Sequence, residues 1–286
     1  MRLIWRLIFL GILMIAALLA GSPRAAAQGS DQLMPDESTA KAKEILHEAI
    51  QALGGTVYLN VHDVTCTLRY SQFGHSGELN GFAKLIDYTI PPNKDRTENL
   101  PKRNQIEIMN GDKGWVLDLG GVSEATEVDI AQFQDNIRKD IDNILRHRLN
   151  EPGMILRYGG PDVVDLKEAE WVELVDSENR TIRIAFAKAT HLPIRKIVLS
   201  RDAGTRTRFD EVEYYSNYHP LSGIETPFQI TRERNGIKVY QAFFESCEYN
   251  TNLSEALFTK ESLEERWAKV GKKDKKHDKK HDSSSY

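Results

Sequence analysis

Gly74-His75-Ser76-Gly77-Glu78 sets a histidine beside a serine between glycines. Such a grouping would suit acyl transfer, with the serine raised on a sharp elbow to attack a carbonyl. The elbow needs a glycine where Glu78 stands, and a strand before it and a helix after it. Here segments of alternating polarity flank it on both sides, as in a hairpin. His219 and Ser222 form a second such pair, inside YYSNYHPLSGIETPFQI. Pro220 and Gly223 are turn formers, and Pro227 places the start of the next strand at an edge or bulge, so a bend from His219 to Gly223 is expected. His47, His62, His75, His147, His191 and His219 stand singly. No zinc-protease helix, C-x-x-C, P-loop or dinucleotide-binding glycine pattern occurs. Carboxylates are plentiful, but no pair is singled out by an apolar setting that would separate its pKa values. These residues predict a non-enzyme with no cofactor and no metal site.

Cys66 and Cys247 are the two cysteines, both in strand-like stretches. In an oxidising compartment they could pair and tie the first strand to the last; two buried thiols are the alternative.

The ends of the chain differ from its body. Arg2 and Arg6 precede an apolar run from Leu7 to Ala20, followed by Ala25-Ala26-Ala27. A basic start, a short apolar core and a small-residue site describe a secretory signal peptide over residues 1–27, cleaved after Ala27. The run is short for a bilayer span. Residues 28–39 read as a polar linker, residues 40–268 as one domain, and residues 269–286, KVGKKDKKHDKKHDSSSY, as a disordered tail. That tail could make transient contact with anionic membrane lipid, or simply be solvated. Of the 38 basic and 42 acidic residues, three arginines fall in the opening segment, and seven lysines and three aspartates in the tail. The 28 basic and 39 acidic residues left give the body a net charge of −11, which argues against nucleic acid as a partner. A periplasmic monomer is expected.

These residues need elements to position them. Ala42, Ile45, Leu46, Ala49, Ile50 and Leu53 recur at helical spacing before Gly54-Gly55. A second amphipathic helix is predicted from Glu127 to Leu149, with Ile130, Phe133, Ile137, Ile141, Ile144, Leu145 and Leu149 on one face. The rest alternates with a period of two, in about ten antiparallel strands joined by short turns such as Asn110-Gly111 and Asn235-Gly236. Strands and helices do not alternate, so a doubly wound sheet is excluded.

Two helices can cover only part of so large a sheet. Either the core is dry, or a strongly curved sheet leaves an apolar cavity for a greasy ligand. In the second case Leu68, Tyr70, Trp115, Phe133, Ile137, Ile141 and Phe186 are the candidate lining residues, each equally suited to ordinary core packing.

Taken in order, ALGG (Ala52 to Gly55), NGDKGW (Asn110 to Trp115), the inserted helix, ATHLPIRKIVLSRDAGT (Ala189 to Thr205), YSNYHPLSGIETPFQI and YNTNLSEALF (Tyr249 to Phe258) resemble periplasmic carriers of the LolA/LolB type and related outer-membrane lipoprotein-sorting proteins. The resemblance spans roughly residues 40 to 258. It implies a mainly β fold: a single strongly curved antiparallel sheet forming an unclosed β-barrel, with a leading helix and an inserted helix on its concave face. It further implies a non-enzymatic carrier of lipid or lipoprotein acyl chains. Relatives of this kind also include envelope-stress sensors and general lipid binders, so an envelope sensory or assembly module that binds protein partners through the same fold is the alternative reading.

Overall fold

The computed structural model describes residues 33–201 and 207–269. The segments expected to be a signal peptide, the first part of the linker and nearly all of the tail lie outside the described residues. The first helix, α1 (Pro35–Leu53), begins within the stretch read as linker, with Pro35 at a position where its missing N–H costs nothing. Its apolar face, Ala42, Ile45, Leu46, Ala49 and Leu53, is buried. Gly54 and Gly55 then turn the chain into the short helix α2 (Thr56–Leu59). A side chain at Gly54 is excluded twice over: its φ is +131°, and a Cβ would lie 2.4 Å from the carbonyl oxygen of Gly223.

Thirteen strands follow: β1 (Val64–Phe73), β2 (Leu79–Ile90), β3 (Lys94–Leu100), β4 (Ile106–Asn110), β5 (Lys113–Asp118), β6 (Gly121–Glu124), β7 (Ile155–Val164), β8 (Lys167–Val175), β9 (Thr181–Ala187), β10 (Pro193–Arg201), β11 (Arg208–Leu221), β12 (Ile224–Arg234) and β13 (Ile237–Tyr249). All belong to one sheet in the order β6-β5-β4-β3-β2-β1-β13-β12-β11-β10-β9-β8-β7. The sheet is antiparallel, curled and unclosed, with β6 and β7 at its two ends. It is two meanders, β1 to β6 and β7 to β13, joined where β1 pairs with β13. Cys66 and Cys247 face each other in that register and form a disulfide, with Cα atoms 4.1 Å apart.

The strands missing from the sequence reading are β3, β6 and β7. The inward and outward positions of β3 are both polar: Arg96 and Glu98 are buried, joined at 2.7 Å. Arg96 also donates to the Leu257 carbonyl and the Ser262 hydroxyl, so the partners that make its burial tolerable come from the far end of the chain.

The segment between β6 and β7 carries the inserted helix, expected as one rod from Glu127 to Leu149. It is broken at Asp140. Helix α3 (Glu127–Lys139) opens on a capping box, Thr126 with Asp129, and ends where Asp140 is extended. The Asp140 carboxylate then accepts the amide of Asn143 and caps a second piece, α4 (Ile141–Asn143), which runs on into a π-helical turn, Ile144–Arg148.

The two faces of the sheet are filled unequally. Over β7 to β10 the inner face is packed under α1 by Leu156, Val172, Leu174, Ile182, Ile184 and Phe186. On the outer face of β2 to β5 a separate cluster, Ile106, Ile108 and Leu117, is covered by Phe258 and Leu263 of the C-terminal segment. Asp63 anchors that segment: its carboxylate accepts the backbone amides of Thr251, Asn252 and Leu253. Burial alone would raise its pKa, but these amides and the Thr251 hydroxyl together hold it below the usual carboxylate value.

Candidate functional site

Where α1 stops covering the inner face, the sheet is hollow. β1 to β3 and β10 to β13 form the wall, α3, α4 and α2 form the roof, and a cavity of about 540 Å³ lies between them. At the volume of liquid water that is room for about 18 molecules, within the range of ordinary ligand sites.

The alternation of side chains decides who faces it. From the sheet come Tyr70, Cys66, Phe244, Ile230 and Tyr215, and from the roof Phe133, Ile137, Ile141 and Leu145. Of the seven apolar and aromatic candidates, Tyr70, Phe133, Ile137 and Ile141 therefore sit in the lining. Leu68 is buried between Cys66 and Tyr70, but Phe244, opposite it on β13, lines the cavity in its place. Trp115 pairs with Ile108, whose side chain is on the outer face, and packs in the cluster under the C-terminal segment. Phe186 is on the inner face but lies in the region that α1 fills, and is 2 % exposed. Trp115 and Phe186 thus fit their environments as core residues.

Sequence reasoning did not foresee how polar the cavity is. Glu213 on β11 is buried against Lys196 at 2.5 Å and against the Arg232 guanidinium, whose Nε is 2.8 Å away. The Tyr215 hydroxyl donates to the same carboxylate. Burial would raise the pKa of Glu213, but the charges of Lys196 and Arg232 outweigh that and hold it far below the usual range. Two residues back on the same face of β11, Glu211 is reached by Lys139, at the end of α3, at 2.6 Å, while Lys196 donates to the Lys139 carbonyl at 2.6 Å. This network closes one end of the cavity and pins α3 to the sheet. The signal for it lies in the alternation of Glu211 and Glu213 with Val212 and Tyr214, which in the sequence looks like a solvated face.

Asp87 on β2 and Asp95 on β3 line the opposite wall. Burial, together with the Glu107 carboxylate, pushes the Asp87 carboxyl up to about 6. Burial and the neighbouring Asp87 charge raise Asp95 well above its usual value. Asp140 in the roof is raised to about 6 by burial and by Asp142.

The first serine–histidine grouping lies in a hairpin turn, and the second is divided between a strand and the turn after it. The Ser76 hydroxyl is bound to Glu78 at 2.6 Å in the exposed turn between β1 and β2. His219 is exposed, packs edge-on against Phe228 at 4.7 Å and sits within β11. The turn is tighter than the expected five residues. Ser222 and Gly223 alone make it, both with positive φ, as the type I′ form of a two-residue hairpin requires. Pro227 falls on β12 before its pairing with β13 begins, so its missing N–H breaks no bond on that side.

No family model and no curated protein matches the chain by sequence. Among solved structures, a DUF1329 family protein from Desulfovibrio piger superposes with a TM-score of 0.57 at 14% identity, over 78% of this chain and 98% of that one. A putative outer membrane lipoprotein-sorting protein domain from Vibrio parahaemolyticus gives 0.52 at 10% identity, over 81% and 100%. A LolA superfamily protein from Nitrosomonas europaea gives 0.51 at 14% identity, over 78% and 99%. The superpositions cover nearly the whole of all three structures, and the chain has a LolA-like fold.

Proposed function

We propose that the chain is a non-enzymatic, periplasmic binder or carrier of lipid or lipoprotein acyl chains. The observation that carries this reading is the cavity of about 540 Å³, roofed by Phe133, Ile137 and Ile141 and floored by Ile230, Tyr215 and Phe244. Burial of an acyl chain there is driven by roughly 0.8 kcal/mol per CH₂ group. The likeness to a structure described as a lipoprotein-sorting domain supports the choice of ligand. The opening segment supports the compartment: residues 1–27 have the composition of an export signal. On this reading residues 40–268 form the carrier domain, and the lysine-rich tail supplies transient contact with anionic membrane lipid.

Displacement of a fluorescent fatty-acid probe tests the site. The native chain should bind the probe, and Ile137→Asp, which places a charge in the roof, should weaken it by at least about tenfold. Absence of probe binding, with no lipid extracted from the purified chain, would sink the reading. Recovery of an envelope protein without lipid would instead favour a module that docks protein partners.

A further inference from the structure

One cation of the cavity wall is left short of partners. Lys196 and Arg232 are engaged by Glu213, and Lys94 by Glu255. Arg146, in the π-helical turn after α4, is different. Its side chain is 3% exposed and lines the cavity, and its Nε is buried without a hydrogen-bond partner among the described residues. The nearest carboxylate oxygen, on Asp142, stands 3.6 Å from Nη2, outside hydrogen-bond range. Asp142 is 51% exposed and already accepts the Tyr58 hydroxyl at 2.7 Å, so it neighbours Arg146 as a charge without accepting a hydrogen bond from it. The guanidinium carbon lies over the Tyr58 ring, 4.3 Å from its centre, a contact that uses none of the five N–H donors. The titratable groups whose fields reach it are Asp142, Tyr58, Asp140 and Tyr249. The Tyr249 hydroxyl, 2.8 Å from that of Thr226, adds a neutral polar pair to the lining.

Asp87 and Asp95, by contrast, are served by the Thr97 and Thr89 hydroxyls. Among the described residues of the lining, the Arg146 Nε is the buried side-chain donor left without an acceptor. A planar, buried, oriented guanidinium matches a carboxylate or a phosphate, which it can hold through two parallel N–H bonds. The volume suits one chain of about a dozen carbons with its head, rather than several chains.

Resting on the lipid-binding reading above, we propose that Arg146 anchors the anionic head, carboxylate or phosphate, of a single-chain amphiphile whose tail lies along Ile137, Phe133, Ile230 and Phe244. Calorimetry on the full chain with dodecanoate, dodecyl phosphate, dodecanol and dodecylamine separates the cases. The two anions should bind about tenfold or more tighter than dodecanol. Arg146→Gln, checked for an unchanged fold by circular dichroism, should erase that preference by weakening the anions about tenfold or more beyond any change in dodecanol binding, and Arg146→Lys should keep part of it. Equal binding of anion and alcohol, or a preference for dodecylamine, overturns the anchor but leaves the lipid-binding reading standing. Inorganic phosphate binding as tightly as dodecyl phosphate would also overturn it, since the site would then take a free anion. If none of the four amphiphiles binds, the lipid-binding reading and the anchor fall together.

Discussion

Asp87 and Asp95 lie on adjacent strands with threonine hydroxyls around them: Thr97 is 2.7 Å from Asp87, and Thr89 is 3.3 Å from Asp95. Burial raises both carboxyls, and a neighbouring charge adds to each: Glu107 for Asp87, and Asp87 for Asp95. The sign of the pH effect follows. A carboxyl with a raised folded-state pKa holds its proton longer in the folded chain than in the unfolded one. Stability should therefore increase as the pH falls from above about 6, the value for Asp87, toward its ordinary 3.8. We expect Asp95→Asn to raise stability at pH 7.5 by about 1–2 kcal/mol and to flatten this part of the profile, read from urea midpoints. A variant less stable than the parent would show that the charged pair is held by something other than these hydroxyls. The pair was not legible in the sequence. Asp87 stands among the alternating residues of a strand, and Asp95 follows Pro91-Pro92-Asn93, where a break rather than a strand is the natural reading. Arg146 was hidden in the same way, because only the break at Asp140 turns that helix over the cavity.

At the scale of elements, the legible parts were those whose apolar spacing is regular: α1, the helix after Thr126, and the strands with clean alternation. β7 was lost because Gly159-Gly160-Pro161 interrupts its pattern. In the sheet that interruption is a register shift, with Gly160 at φ 91°, which lets the strand bend around Trp171. An end strand with free backbone groups invites pairing with another chain. Helix α1 covers part of that edge: the amide of Tyr158 donates to the Ser38 hydroxyl, and the Thr39 hydroxyl donates to the Leu156 carbonyl. The double variant Ser38→Ala/Thr39→Val leaves these groups unpaired. It should cost about 1–3 kcal/mol and increase self-association on concentration, measured by thermal melting and light scattering. An unchanged melting temperature with no association would show that α1 protects the edge by packing alone.

For the whole molecule, the pairing of β1 with β13 sets the architecture. Sequence reading placed Cys66 and Cys247 on the first and last strands but left their pairing open, since no spacing reveals that two meanders meet at that seam. The bond closes a loop of 181 residues, so its removal enlarges the unfolded ensemble considerably. The Cys66→Ala/Cys247→Ala variant should lose about 2–5 kcal/mol of stability, read by chemical denaturation under non-reducing conditions. A loss below about 1 kcal/mol would mean that the strand pairing alone holds the seam.

The same seam changes what the inserted segment is for. The chain passes from one meander to the other only through residues 125–154, while their lasting bonds to each other lie on the opposite side, at β1 and β13. A protease that cut between α3 and β7 would therefore release nothing. It would leave two complementing fragments, joined covalently through one sulfur bridge, with the roof of the cavity opened like a clasp.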